Sequence, residues 1–205
     1  LVPHLRLMLV TDDRLLAGRD PVDLARRAVR GGVTAVQLRL KQASARELVD
    51  LARALRAALP VPLLVNDRPD VALLTGAGVH LGPDDLPVTF ARELLPPPAI
   101  VGASAGTAAE TAGARGADYW GVGPWRATGT KADAGGAIGP EGFRAIVRQA
   151  GATPCIAIGG IRPEDVPAVL EAGGVGVAVV SGILGAEDVE GAARAYARMF
   201  GEGGG

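Results

Sequence analysis

The feature that most constrains this 205-residue chain is a rhythm of short apolar runs separated by amphipathic or turn-rich stretches. The runs are 5–11, 34–39, 61–66, 78–81, 99–103, 117–123, 154–158 and 175–180. Near-continuous apolar runs of this length suit parallel strands covered on both faces. Helix signals fall between them. Asp20-Pro21 gives a cap and a first-turn proline to a helix ending near Arg30. Ser44 and Glu47 have capping-box spacing ahead of Leu48, Leu51, Ala54 and Leu55, and Thr107 and Glu110 repeat that spacing. Pro69, Pro87, Pro140 and Pro163 open further helices, and a last one spans 186–200.

Eight strand–helix units predict an α/β protein, a single-domain (β/α)8 TIM barrel over residues 1–200 with a disordered Gly-rich tail at 201–205. An open flavodoxin-like sheet would use about five such units and leave three over.

Several function classes drop out. With 21 basic and 22 acidic residues the formal charge is −1, so the basic excess of a nucleic-acid binder is missing. The single cysteine, Cys155, excludes a disulfide framework and reads as inert core. No apolar run reaches the roughly 18–20 residues that span a bilayer. The apolar start, 1–10, lacks the basic region and cleavage site of a signal peptide. The expectation is a cytoplasmic protein of small-molecule function, with no nucleic-acid or membrane partner and with homo-oligomerisation left open.

Barrel chemistry sits at the carboxyl ends of the strands, which gives meaning to residues this chain otherwise avoids. Only two of its basic residues are lysine, Lys41 and Lys131, and Asn66 is its one asparagine. Both lysines, Asn66, His80 of two histidines, and Ser104 and Ser181 of three serines fall at expected strand ends. Along strand two, alternation places Gln37, Arg39 and Lys41 on one side. A lysine can meet a phosphate as a point charge. Asp67 and Asp85 follow neighbouring strands, and two hard carboxylates converging there suit Mg²⁺. No Cys/His cluster suits zinc. The ordinary alternative is helix capping, a role Asp84 fills more naturally than Asp85. His80 alone would read as a satisfied structural histidine. The loop at 124–139 carries Thr128, Thr130 and Lys131, an anion-binding set or a mobile surface loop. Trp120 and Trp125 read as packing residues. Gly159-Gly160 and Val180-Ser181 end strands seven and eight, the loops that commonly build a barrel phosphate site.

Read together, Gln37-Leu38-Arg39-Leu40-Lys41, Asn66-Asp67-Arg68, Gly78-Val79-His80-Leu81-Gly82 with Asp85, Gly116-Ala117-Asp118-Tyr119, Gly121-Val122-Gly123-Pro124, Thr128-Gly129-Thr130-Lys131, Ile158-Gly159-Gly160-Ile161 and Val179-Val180-Ser181 resemble the thiamine phosphate synthase family over nearly the whole chain. The resemblance implies a transferase that joins a hydroxymethylpyrimidine diphosphate to a thiazole phosphate and releases pyrophosphate. It implies that Gln37, Arg39, Lys41, Asn66, Ser104 and Lys131 hold the pyrimidine diphosphate and that His80 lies near the pyrimidine. Asp67 and Asp85 would bind Mg²⁺. Thr128, Thr130, Gly160, Val180 and Ser181 would hold the thiazole phosphate. Lys131 is the leading catalytic candidate, with Arg39 and Lys41 beside it.

Three positions depart from the family pattern. Met8 stands where an aromatic residue is frequent, Leu40 where an acid is frequent, and Gly106 where a histidine is common. A related thiazole tautomerase keeps the barrel but relies on that histidine. A non-catalytic paralogue that binds the thiazole phosphate is the other alternative.

Overall fold

The computed structural model describes residues 1–127 and 136–201. Among these, eight four-residue strands close on one another in chain order, every neighbouring pair parallel. In order the elements are β1 (Leu7–Val10), α1 (Asp13–Leu16), α2 (Pro21–Arg30), β2 (Ala35–Leu38), α3 (Ala45–Ala58), β3 (Leu63–Asn66), α4 (Pro69–Thr75), β4 (Gly78–Leu81) and α5 (Val88–Leu94). There follow β5 (Val101–Ser104), α6 (Ala108–Gly113), β6 (Tyr119–Val122), α7 (Gly139–Ala150), β7 (Cys155–Ile158), α8 (Val166–Glu171), β8 (Gly176–Val179), α9 (Ser181–Leu184) and α10 (Val189–Met199). The barrel closes where Leu7, Met8 and Leu9 of β1 face Val177, Ala178 and Val179 of β8.

The helix starts follow their caps. Asp20 accepts the Val22 and Asp23 amides ahead of α2, and Ser44 and Glu47 form a reciprocal box ahead of α3. At α6 only half of the expected box forms. Thr107 caps the Glu110 amide, while the Glu110 carboxylate turns back to the Gly106 amide at 2.6 Å.

Other expectations are corrected. Strand one is shorter than the 5–11 run: Leu5 ends a 3₁₀ turn, Val2–Leu5, held where Thr34 donates to the His4 carbonyl at 3.0 Å, and the strand itself is Leu7–Val10. Pro163–Asp165 is a 3₁₀ turn rather than the start of one long helix. The last helix begins at Val189, with the short α9 before it. The 202–205 portion of the expected tail lies outside the described residues. No helix among those described is long and apolar enough to cross a membrane.

Two apolar clusters hold the barrel. The larger lies between the strands and the helices and takes alternate residues such as Leu9, Val36, Leu38, Val65 and Val79. It also takes Cys155, Trp120 and Trp125, as expected of packing residues. Burial pushes the Cys155 thiol up to about 12, which leaves it an unreactive thiol. The second cluster fills the barrel itself with Leu5, Met8, Val10, Ala35, Leu64, Tyr119, Ile156 and Ala178. Tyr119 is its largest member and is fully buried. Space for its ring comes from the neighbouring strand, because a β-carbon at Gly102 would overlap the ring carbons and the hydroxyl. We expect Gly102→Ala to overfill the barrel and cost about 1–3 kcal/mol of stability, read as an earlier midpoint in urea denaturation.

Candidate active site

At the carboxyl end of the barrel the inward positions divide by polarity. Strands β2 to β5 deliver Gln37, Asn66, His80 and Ser104. Register places Asn66 beside His80 and aligns Ser104 with Gly121. The other half carries Val10, Gly121, Ile158 and Val180. Gly121 is needed there, since a β-carbon would come within 3.0 Å of His80 Cε1.

Gln37, His80 and Tyr119 form a buried polar chain leading to Ser104. Tyr119 lies 2.9 Å from His80 Nδ1, and His80 Nε2 lies 3.2 Å from Ser104 Oγ. Burial holds the Tyr119 phenol well above its ordinary range, only partly offset by its hydrogen bond from Gln37. The phenol therefore remains a donor. An imidazole nitrogen is a better acceptor than the Met8 thioether 3.9 Å away, so the phenol suits His80 as its partner, and the direction of the His80–Ser104 bond follows the imidazole tautomer. Sequence reasoning missed Tyr119 as a site residue. Its inward parity, with Gly102 opposite it on β5, was the available signal.

Arg39 extends this polar side. It is 8% exposed and pairs with Asp12 at 3.5 Å. Lys41, by contrast, is exposed. Asp67 is the one non-glycine residue with positive φ among those described, at +64°, and its amide donates to the His80 carbonyl at 2.8 Å. Such backbone is uncommon outside glycine, though aspartate tolerates it better than most. The capping alternative fails at both acids. Helix α4 has Arg68 at its cap position, α5 has Pro87, and neither has a side-chain cap. Asp84, expected to serve α5, is exposed and caps nothing there. Asp85 instead closes its own turn, accepting the Gly82 amide at 2.6 Å through Oδ2.

On the opposite side the Gly159-Gly160 pair has φ of +95° and +66°. A β-carbon at Gly160 would come within 2.8 Å of Arg126 Cβ. Arg126 anchors the loop after β6 here: its amide donates to Gly159 O at 2.9 Å, and its guanidinium grips buried Asp165 through both carboxylate oxygens. Ser181 opens α9 and is exposed, with Val180 half-buried before it. Thr128, Thr130 and Lys131 lie outside the described residues.

The three departures also find places. Met8 is fully buried within the barrel, against Gln37 Nε2 at 3.8 Å, so it forms floor rather than wall. Leu40 packs outward against the larger cluster. A β-carbon at Gly106 would collide with the Gly123 carbonyl, so this backbone admits no side chain there.

Fold and mouth together define an α/β-barrel protein whose candidate site lies at the carboxyl ends of its strands, polar on one half and glycine-rich on the other. The particular family comes from comparison. Residues 7–183 match the family described as thiamine monophosphate synthase, and the chain belongs to it. It is 52% identical over 130 residues to the thiamine-phosphate synthase of Xanthobacter autotrophicus, covering 60% of this chain and 62% of that protein. It is 50% identical over 132 residues to that of Albidiferax ferrireducens, covering 60% and 59%. These matches therefore span about three fifths of the curated relatives' length. The solved thiamine phosphate pyrophosphorylase from Pyrococcus furiosus is 38% identical with a TM-score of 0.87, over 100% of this chain and 99% of that one. A 3-hexulose-6-phosphate synthase at 18% identity and TM-score 0.70 shares the fold.

The Arg126–Asp165 anchor yields a pH prediction. Burial alone would raise the Asp165 carboxyl, but the hydrogen bond from Arg126, the Arg162 amide and the Arg126 charge together hold it below its ordinary 3.8. A depressed carboxyl stabilises the fold above the unfolded value, and that contribution is lost as pH falls through the folded one. Asp165→Asn should therefore melt below the wild type at neutral pH, and the gap should close below about pH 4. Thermal melts of both proteins between neutral and acidic pH check this.

Proposed function

We propose that this chain condenses 4-amino-2-methyl-5-(diphosphooxymethyl)pyrimidine with 4-methyl-5-(2-phosphoethyl)thiazole, or with its carboxylated form with loss of the carboxyl group as CO₂, to give thiamine phosphate and pyrophosphate. The observation that carries the reading is the cluster of Gln37, Arg39, Asn66, His80 and Ser104 on one half of the mouth of a chain in this family. A cytoplasmic setting and small phosphorylated substrates go with it.

In this reading the bond between the pyrimidine methylene and the diphosphate oxygen breaks first, and its electron pair leaves with pyrophosphate. The thiazole nitrogen then supplies the pair that forms the new C–N bond. Such chemistry asks little of side-chain acids or bases. It asks for charge stabilisation on the leaving group, orientation of the acceptor and exclusion of water. Arg39, Lys41 and Lys131 meet the growing charge on the diphosphate, with Asn66 and Ser104 as neutral polar partners. The Gln37–Tyr119–His80 chain fixes the floor beneath the pyrimidine. On the glycine-rich half, Gly160, Val180 and Ser181, with Thr128 and Thr130, hold the thiazole phosphate.

The residues present fit Mg²⁺. The described residues contain no group of three or more His, Cys, Asp or Glu that could hold a metal, which disfavours an all-protein cage. Two carboxylates, with remaining positions left to water and phosphate oxygens, are the donor set Mg²⁺ prefers. Asp67 and Asp85 would hold it, and when bound it supplies charge neutralisation to the departing pyrophosphate.

The test is incubation with both substrates, with and without Mg²⁺, following pyrophosphate and thiamine phosphate. Both products should appear only when both substrates and Mg²⁺ are present. Neither appearing with Mg²⁺ would refute the reading, and turnover of the thiazole alone would favour a tautomerase. We further expect Lys131→Ala to lower kcat at least about a hundredfold, as loss of a transition-state charge partner does, with little change in melting temperature. Unchanged turnover would remove Lys131 from the mechanism.

A further inference from the structure

Two carboxylates stand just past β1, at the edge of a mouth that is proposed to receive a diphosphate. Long-range repulsion makes this a poor place for acids, so their contacts need a reason. Asp12 pairs with Arg39 and caps α1, accepting the Arg14 amide at 3.0 Å. Asp13 does something different. Its Oδ2 accepts from the Lys41 amide at 2.9 Å and its Oδ1 from the Gln42 amide at 3.2 Å. One side chain thus clamps two successive amides from 28 and 29 residues away.

The clamp begins where the sheet ends. Register between β1 and β2 runs to Val10 opposite Gln37. Thr11 carries the pairing on: its amide donates to Gln37 O at 3.0 Å, its hydroxyl accepts from the Arg39 amide at 2.8 Å, and that hydroxyl lies 3.1 Å from Arg39 O. Lys41 and Gln42 lie beyond the ladder, in a bend. There a carboxylate replaces the strand carbonyl as acceptor, and charge-assisted bonds of this kind are stronger than neutral ones.

We propose that Asp13 is a positioning residue for Lys41: it fixes the backbone from which the exposed ammonium reaches the diphosphate. This rests on the functional reading above, in which Lys41 meets that group. The proposal carries a sign. If Asp13 acted only through its charge, removing it would tighten binding of an anion. If it positions Lys41, removing it weakens binding although a repulsive charge is gone.

The experiment compares wild type, Asp13→Asn, Asp13→Ala, Lys41→Ala and the Lys41→Ala/Asp13→Ala double variant. Steady-state kinetics are measured for each substrate, alongside calorimetric titration with inorganic pyrophosphate plus Mg²⁺. For Asp13→Ala we expect KM for the pyrimidine diphosphate and Kd for pyrophosphate to rise about tenfold, the scale of a lost hydrogen bond to a charged group. Asp13→Asn should fall between Asp13→Ala and the wild type. KM for the thiazole phosphate should stay within about twofold. On the Lys41→Ala background, Asp13→Ala should add little, because the side chain it positions is gone. A tightened or unchanged pyrophosphate Kd in Asp13→Ala would overturn the proposal. So would an equal penalty on both backgrounds, or KM values for both substrates rising together, each the mark of a merely structural residue. Should the wild type make no thiamine phosphate, the functional reading fails on its own. The pyrophosphate titration then still decides whether Asp13 positions Lys41.

Discussion

Closing a barrel with strands of only four residues leaves each strand about two inward positions. That limit organises the protein. The position nearer the amino end goes to packing, as Met8, Ala35, Leu64 and Tyr119 show. The position nearer the carboxyl end remains for chemistry, as Gln37, Asn66, His80 and Ser104 show. A layer of contacts thus lies directly beneath a layer of function, and the two meet at the Tyr119 hydroxyl. Because interior volume is scarce, the Tyr119 ring takes the space left by Gly102 on the neighbouring strand.

The polar layer is well determined. Among the described residues, no buried side-chain nitrogen or oxygen lacks a hydrogen-bond partner. A satisfied chain of hydrogen bonds in a low-dielectric interior is rigid. The floor of the mouth is therefore fixed before any ligand arrives. The rim is held differently, by single side chains reaching across loops: Asp13 to Lys41, Asp85 to Gly82 and Arg126 to Asp165.

Much of this was legible in the sequence. Apolar run length gave the eight parallel strands, and Asp20-Pro21 and Ser44 with Glu47 gave helix starts through local geometry that spacing captures. The gathering of Asn66, His80 and Ser104 followed from assigning each to a strand end. What escaped was non-local. Tyr119 looked like one more apolar strand residue until Gly102 and Gly121 were seen beside it. Asp12 and Asp13 stand at a strand end like the others, but their partners lie beyond the reach of any local pattern. The four-residue helices α1 and α9 are too short for periodicity to mark. Asp84 misled because an acid ahead of a helix resembles a cap, whereas the chain travels through Pro87 before α5 begins.

The shared volume of Gly102 and Tyr119 also bears on descent. Neither position can drift independently, since a side chain gained at one requires space lost at the other. His80 rests on the Tyr119 hydroxyl and fills the space Gly121 leaves open, so the linkage extends upward into the mouth. Residues 80, 102, 119 and 121 therefore form one heritable unit spread over three strands, and a lineage that rebuilt this pocket would have to exchange them together.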